Sequence, residues 1–210
     1  MDRQIDHKKM RVVVGVIALL LSPVVYVLSG LGPDLESISA SYWTHARDIF
    51  VGALVAVGFF LSAYNGAGGN RDWEYFLSRI AWIFAIGVAL FPTTSSDPLD
   101  APPQWVSSLT AALGVTSGQV HYSSAIVLFA CLIAMMWFFS NRAKSKGKSG
   151  RSNFYRAVAV LMAVGIIGLI GIGKWADWGS SLFWAECWGL TLFGIGWMVA
   201  GSYKTDPSLE

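Results

Sequence analysis

The chain has 210 residues, 54% of them hydrophobic and only 13% charged, with a mean hydropathy of +0.53 and a formal net charge of +2. A soluble domain carries about 25% charged residues, so these values exclude a globule coated in water. The basic residues come in blocks between apolar stretches and form no stripe for nucleic acid.

Six stretches nearly free of charge cover residues 12–30, 49–65, 77–93, 121–140, 157–173 and 182–201. Each is long enough, at about 1.5 Å per residue, to cross a hydrocarbon core of about 30 Å as a helix. Helices satisfy their own backbone hydrogen bonds, which lipid cannot do. The expected architecture is an all-α integral membrane six-helix bundle, with residues 1–210 forming a single transmembrane domain.

The first stretch follows Arg3, Lys8, Lys9 and Arg11. It is longer than the roughly 7–15 apolar residues of a cleaved signal, so it reads as a retained helix. Residues 31–48 connect it to the second stretch and end in SYWTHARDIFVG, which carries His45, Arg47 and Asp48 to the threshold of lipid. GAGGNRDWEYF (66–76) reads as a glycine-rich turn opening the third helix. The long connection 93–120 starts with proline and serine turn signals. It contains PQWVSSLTAALGV, a short interfacial helix with Trp105, Leu109 and Leu113 facing lipid or the bundle. Residues 141–156 form a basic, polar loop expected to be mobile, and KWADWGSS (174–181) joins the last two helices.

With the N-terminus inside, all basic residues except Arg47 and Lys174 fall on the inner side. The positive-inside bias therefore places both termini in the cytoplasm. Trp43, Trp105, Trp175, Trp178 and Trp184 then mark the outer boundary, and Trp73 and Trp137 the inner one. Cys131 and Cys187 lie within spans and announce no disulfide framework. Gly52 with Ala56, Gly58 with Ser62, Gly165, Gly168, Gly171 and Gly194 supply small residues that let helices approach closely in lipid.

Three descending helices deliver ionisable side chains to the outer leaflet. His45 and Asp48 sit three apart at the start of the second helix and share a face. His121 starts the fourth, and Glu186 lies about one turn into the sixth. A carboxylate within a span costs about 2.5–3.5 kcal/mol on insertion scales and usually faces the bundle interior or a cavity. His45, Arg47, Asp48, His121 and Glu186 are therefore the candidate ligand-binding residues of an outward-facing polar pocket. Asp48 also has a plainer reading, complementing a helix dipole. His45, Asp48, His121 and Glu186 offer a zinc donor set, although no paired HxxxH or HExxH supports it. Haem on the two histidines is a further option, and a proton-linked or lipid-binding cavity a third.

ISASYWTHARDIFVGALVAVGFFLSAYNG, IAWIFAIGVALFPT, HYSSAIVLF and FWAECWGLTLFGIGWMVAG resemble an uncharacterised family of small bacterial multi-pass membrane proteins. The resemblance runs through most of the chain, with RDIFVG and ALFPT its most specific pieces. It implies the bacterial cytoplasmic (inner) membrane and no particular activity. A more distant likeness is to the alkaline ceramidase and progestin–adiponectin receptor superfamily of zinc-dependent membrane hydrolases. That superfamily has a paired HxxxH and seven spans; this chain offers His45 and His121 and six, so no catalytic role carries over. Three functions stay open: binding or transport of a lipid headgroup or small solute, metal-dependent hydrolysis of a lipid, and a structural or regulatory membrane subunit.

Overall fold

The computed structural model describes the chain outside residues 1–6, 31–34, 65, 67–72, 96 and 203–210, and it is all-helical over that range. Seven α-helices follow in order: α1 (His7–Leu28), α2 (Arg47–Ser62), α3 (Trp73–Leu90), α4 (Gln104–Leu113), α5 (Ser117–Ser145), α6 (Ser149–Trp175) and α7 (Ser181–Ser202). A 3-10 helix, Ser39–Trp43, precedes α2. Five helices, α1, α3, α5, α6 and α7, are long and apolar enough to cross a membrane. The expected second span is α2, which has 16 residues and reaches only about 24 Å.

Packing follows chain order and then closes on itself. The helix α1 packs on α2, α2 on α3, α3 on α5, α5 on α6 and α6 on α7, while α7 returns to α1. Neighbours run antiparallel. Arg11 near the start of α1 meets Ala200 near the end of α7, and Tyr26 near the end of α1 meets Phe183 near its start. One end of the ring, here the basic end, therefore gathers Arg11, Tyr64, Glu74 and Arg142. The opposite end, here the loop end, gathers the starts of α2, α5 and α7.

Small residues set the closest crossings. A Cβ added at Gly15 would lie 2.8 Å from the Gly194 carbonyl oxygen, and one at Gly194 would lie 2.8 Å from that of Gly15. The α1–α7 seam thus depends on two facing positions without side chains. Gly165 leaves room for the Trp188 indole, whose N–H donates to the Leu161 carbonyl at 2.7 Å. Gly58 packs against Trp82, whereas Gly52, Gly168 and Gly171 face open space. The expected small-residue stripes are only partly packing surfaces.

One local expectation needs correction. The basic loop is three residues, 146–148, because α5 continues to Ser145 and α6 begins at Ser149. Gly147, at φ +69°, makes the turn, with Lys148 N–H donating to Ala143 O at 2.9 Å. In α4 the buried face is Val106 and Thr110, while Trp105, Leu109 and Leu113 are exposed. The glycine-rich turn lies mostly on residues 67–72, outside the described residues. Trp73 and Trp137 near the basic end, and Trp105, Trp175, Trp178 and Trp184 near the loop end, are all exposed as boundary residues would be.

Candidate functional site

At the loop end the chain before α2 folds into the bundle. Ser37, Ile38, Ser39, Ser41 and Tyr42 are buried. The first N–H groups of a helix have no partner within it, and Ile38, the N-cap residue of the 3-10 helix, makes no side-chain cap hydrogen bond. Glu186 fills that role from α7. Its carboxylate accepts the Ile38 N–H at 2.6 Å and the Ser39 hydroxyl at 3.3 Å. Nearby, Phe183 N–H donates to the Glu36 carbonyl at 2.9 Å, and the Trp43 indole N–H donates to the Thr93 carbonyl at 3.0 Å. Glu186 is a clasp that holds the loop down.

His121 serves a different seam. Thr116 and Gln119 form a reciprocal capping box that starts α5, which turns His121 towards the end of α3. The side chain is 1% exposed, with its Nδ1 2.7 Å from the Phe91 carbonyl. A carbonyl only accepts, so Nδ1 carries the proton. Next to it, Tyr122 O–H accepts from Thr93 Oγ1 at 2.8 Å. His45, Arg47 and Asp48 are exposed. Arg47 stacks 4.3 Å over the Tyr42 ring and donates to its hydroxyl at 2.7 Å.

The five residues read from sequence as one pocket are thus spent separately: two inside, on different partners, and three on the surface. Among the described residues no three histidines, cysteines, aspartates or glutamates gather as a metal ion would require. The zinc set of His45, Asp48, His121 and Glu186 does not assemble, because the loop claims Glu186 and α3 claims His121.

The basic end holds what sequence reasoning missed. Glu74, in the first turn of α3, is 5% exposed. Its Oε2 accepts the Tyr64 hydroxyl at 2.6 Å and Arg142 Nη1 at 2.6 Å. Tyr64 follows the end of α2. Burial pushes its phenol well above the usual tyrosine range, and the adjacent carboxylate adds to that shift, so Tyr64 remains a donor. Arg11 stacks 5.2 Å over the other side of this cluster, on the Tyr64 ring, and donates Nη1 to the Ala200 carbonyl at 3.2 Å. Four elements (α1, the end of α2, α3 and α5) thereby contribute two guanidiniums, one carboxylate and one phenol.

A cavity adjoins this cluster, lined by Met10, Arg11, Val14, Phe60, Tyr64 and Trp197, with about 220 Å³ of empty space including its mouth. Another opening, between α6 and α7, is lined by Leu169, Trp178, Trp184, Cys187, Trp188 and Thr191 and is almost wholly apolar. None of His45, Arg47, Asp48, His121 or Glu186 lines either one.

The signal for the inner cluster was present but disguised. Glu74 stands in register with Ser78, Ala81, Ala85 and Val88, the buried stripe of α3. Arg142 stands seven residues beyond Met135, in line with Leu128 and His121. A charge on a buried stripe is worth notice even where the helix meets the interface.

Comparison with known proteins gives one family match: residues 12–187 fit the model described as "Protein of unknown function (DUF998)". No curated protein and no solved structure matches the chain.

Proposed function

The chain belongs to the DUF998 family, and from that premise we propose a six-span protein of the bacterial cytoplasmic membrane that binds or transports a small anionic solute at its basic end. Five helices meet the length and hydropathy of a span. The sixth would be α2, supported by its place in the ring between α1 and α3. Its shortness is met by local thinning of the bilayer or by snorkelling of flanking residues, each at modest cost. The orientation rests on the distribution of lysine and arginine, with only Arg47 and Lys174 on the outer side.

This orientation predicts a labelling pattern. In a background without Cys131 and Cys187, Asp97→Cys should react with an impermeant maleimide on intact cells. Lys146→Cys should react only after the cells are opened. The reverse pattern rejects cytoplasmic termini.

One observation carries the functional reading: a carboxylate, a phenol and two guanidiniums are drawn together beside a cavity. Ionisable groups held inside a membrane protein are costly and mark solute or proton paths by default. The loop-end residues favour the competing reading of a structural or regulatory subunit, since Glu186 and His121 already have internal partners.

A thermal-shift panel separates the two readings. Purified protein in sodium gluconate is challenged with acetate, inorganic phosphate, glycerol phosphate and short-chain anionic phospholipid. A solute-binding protein should gain about 2–4 °C from at least one of them near saturation. That gain should vanish in Arg11→Gln. If no member stabilises the wild type, or Arg11→Gln responds equally, the solute reading fails and the scaffold reading stands.

A further inference from the structure

The turn between α5 and α6 carries charge of one sign only. Residues 141–156 hold six basic residues and no acidic one, and the whole run from Ala101 to Ala176 contains no aspartate or glutamate. Arg142 is committed to Glu74, whereas Lys144, Lys146, Lys148 and Arg156 are exposed. Helix dipoles do not account for the set. Lys144 suits the negative end of α5. Lys148, however, stands at the N-cap of α6 and Arg151 in its first turn, where a dipole favours acids and none is present.

Below the lysines the surface turns apolar. Arg156 stacks 5.3 Å over the Trp137 indole of α5, which is exposed like the other boundary tryptophans. Deeper on α6, at spacings of four and three residues that share a helix face, come Val160, Val164 and Ile167, all exposed. From Arg156 to Ile167 the helix rises about 16 Å, the depth of one leaflet of a hydrocarbon core about 30 Å thick. In the other direction Lys148 stands about 12 Å beyond Arg156, just above a headgroup layer about 5–7 Å deep. Long lysine stems fold back across that gap.

We infer that the α5–α6 turn seats an anionic phospholipid, its phosphate beneath the lysines at Arg156 and Trp137 and an acyl chain along Val160, Val164 and Ile167. Charge and shape select the occupant together. Clustered lysines and arginines at the end of a span attract acidic headgroups, and an indole settles at headgroup depth. The apolar ladder continues the same face of α6 for the length of a tail. A nucleic acid would match the charge alone, and a free phosphate would leave the ladder untouched. The seat goes beyond the solute reading, which rests on Arg11, and it uses no residue of the Glu74 cluster.

The test uses full-length protein in neutral detergent, with bound lipid counted by native mass spectrometry. Phosphatidylglycerol should bind about tenfold more tightly than phosphatidylcholine of the same chain length. Each basic residue near an anionic surface is worth about fivefold in binding, so Arg156→Gln should weaken phosphatidylglycerol about fivefold and Lys146→Gln with Lys148→Gln about 25-fold. Lys174→Gln removes the same charge at the loop end and should bind like wild type, as should Arg11→Gln. Glycerol phosphate, the head without tails, should not displace the lipid. Phosphatidylglycerol with a photoreactive tail should crosslink to wild type within residues 157–168, a readout that needs no variant. Equal binding of the two lipids, an equal loss in Lys174→Gln, displacement by glycerol phosphate, or crosslinks confined to other helices overturns the seat. Tighter binding of a single-stranded oligonucleotide through the same lysines overturns it in favour of nucleic acid. Failure of the seat leaves any Arg11-dependent solute gain standing.

Discussion

Glu74→Ala is expected to lower the apparent Tm by about 10 °C. The substitution leaves Arg142 and Tyr64 facing one another across an empty site, 3.4 Å apart, with the phenol oxygen as the guanidinium's remaining acceptor among the described residues. Breaking a buried ion pair by removing one partner typically costs 3–5 kcal/mol, because the surviving charge stays desolvated. The Arg142 side chain keeps 23% exposure, so about 3 kcal/mol is the better figure. For a chain of this length each kcal/mol shifts Tm by roughly 2–4 °C. Replacing both partners, with Glu74→Leu and Arg142→Met, should recover more than half of the loss, since no charge is then stranded. A Glu74→Ala protein that melts with the wild type would mean that water reaches the pair freely and that the cluster is an ordinary surface contact.

The second large effect is expected at the opposite end. Glu186→Gln replaces a carboxylate that accepts from both Ile38 N–H and Ser39 Oγ by an amide that accepts on one atom only. Hydrogen bonds to a charged group contribute about 1.5–3 kcal/mol, and roughly 2 kcal/mol of that should be lost, or about 4–8 °C in apparent Tm. The diagnostic readout is local. Amide exchange at Ile38–Trp43 should accelerate at least tenfold, while α5 and α6 keep their protection. Loss of protection across all helices alike would mean that Glu186 holds the bundle and not the loop.

Apolar stretches in the sequence located the helices to within a few residues, apart from α6, whose start at Ser149 precedes the expected 157 by two turns. Composition places lipid-compatible sequence well, but it places helix ends poorly. Arg142, Lys144, Arg151 and their neighbours are good helix formers and continue α5 and α6 past the apolar core. The polar residues were harder to read. The sequence marks Glu186 as facing the bundle interior or a cavity, yet its partner is a backbone amide at Ile38, and backbone donors carry no residue identity to search for. His121 likewise pairs with the Phe91 carbonyl. Glu74 escaped attention because it sits one residue inside α3, where an acid suits the helix dipole. Only its heptad register with Ser78 and Ala81 marked it as facing inward.

The closing of the ring has a temporal side. Arg11 and the Ala200 carbonyl that receives it are 189 positions apart. At about 5–20 residues per second of synthesis, roughly 10–40 s separate their appearance at the ribosome. Through that interval the Gly15 surface of the nascent helix sits against lipid or a chaperone. Closure of the ring therefore waits until α7 is made and docks onto α1, and a chain interrupted before Gly194 would leave the Gly15 surface uncovered for membrane quality control to read.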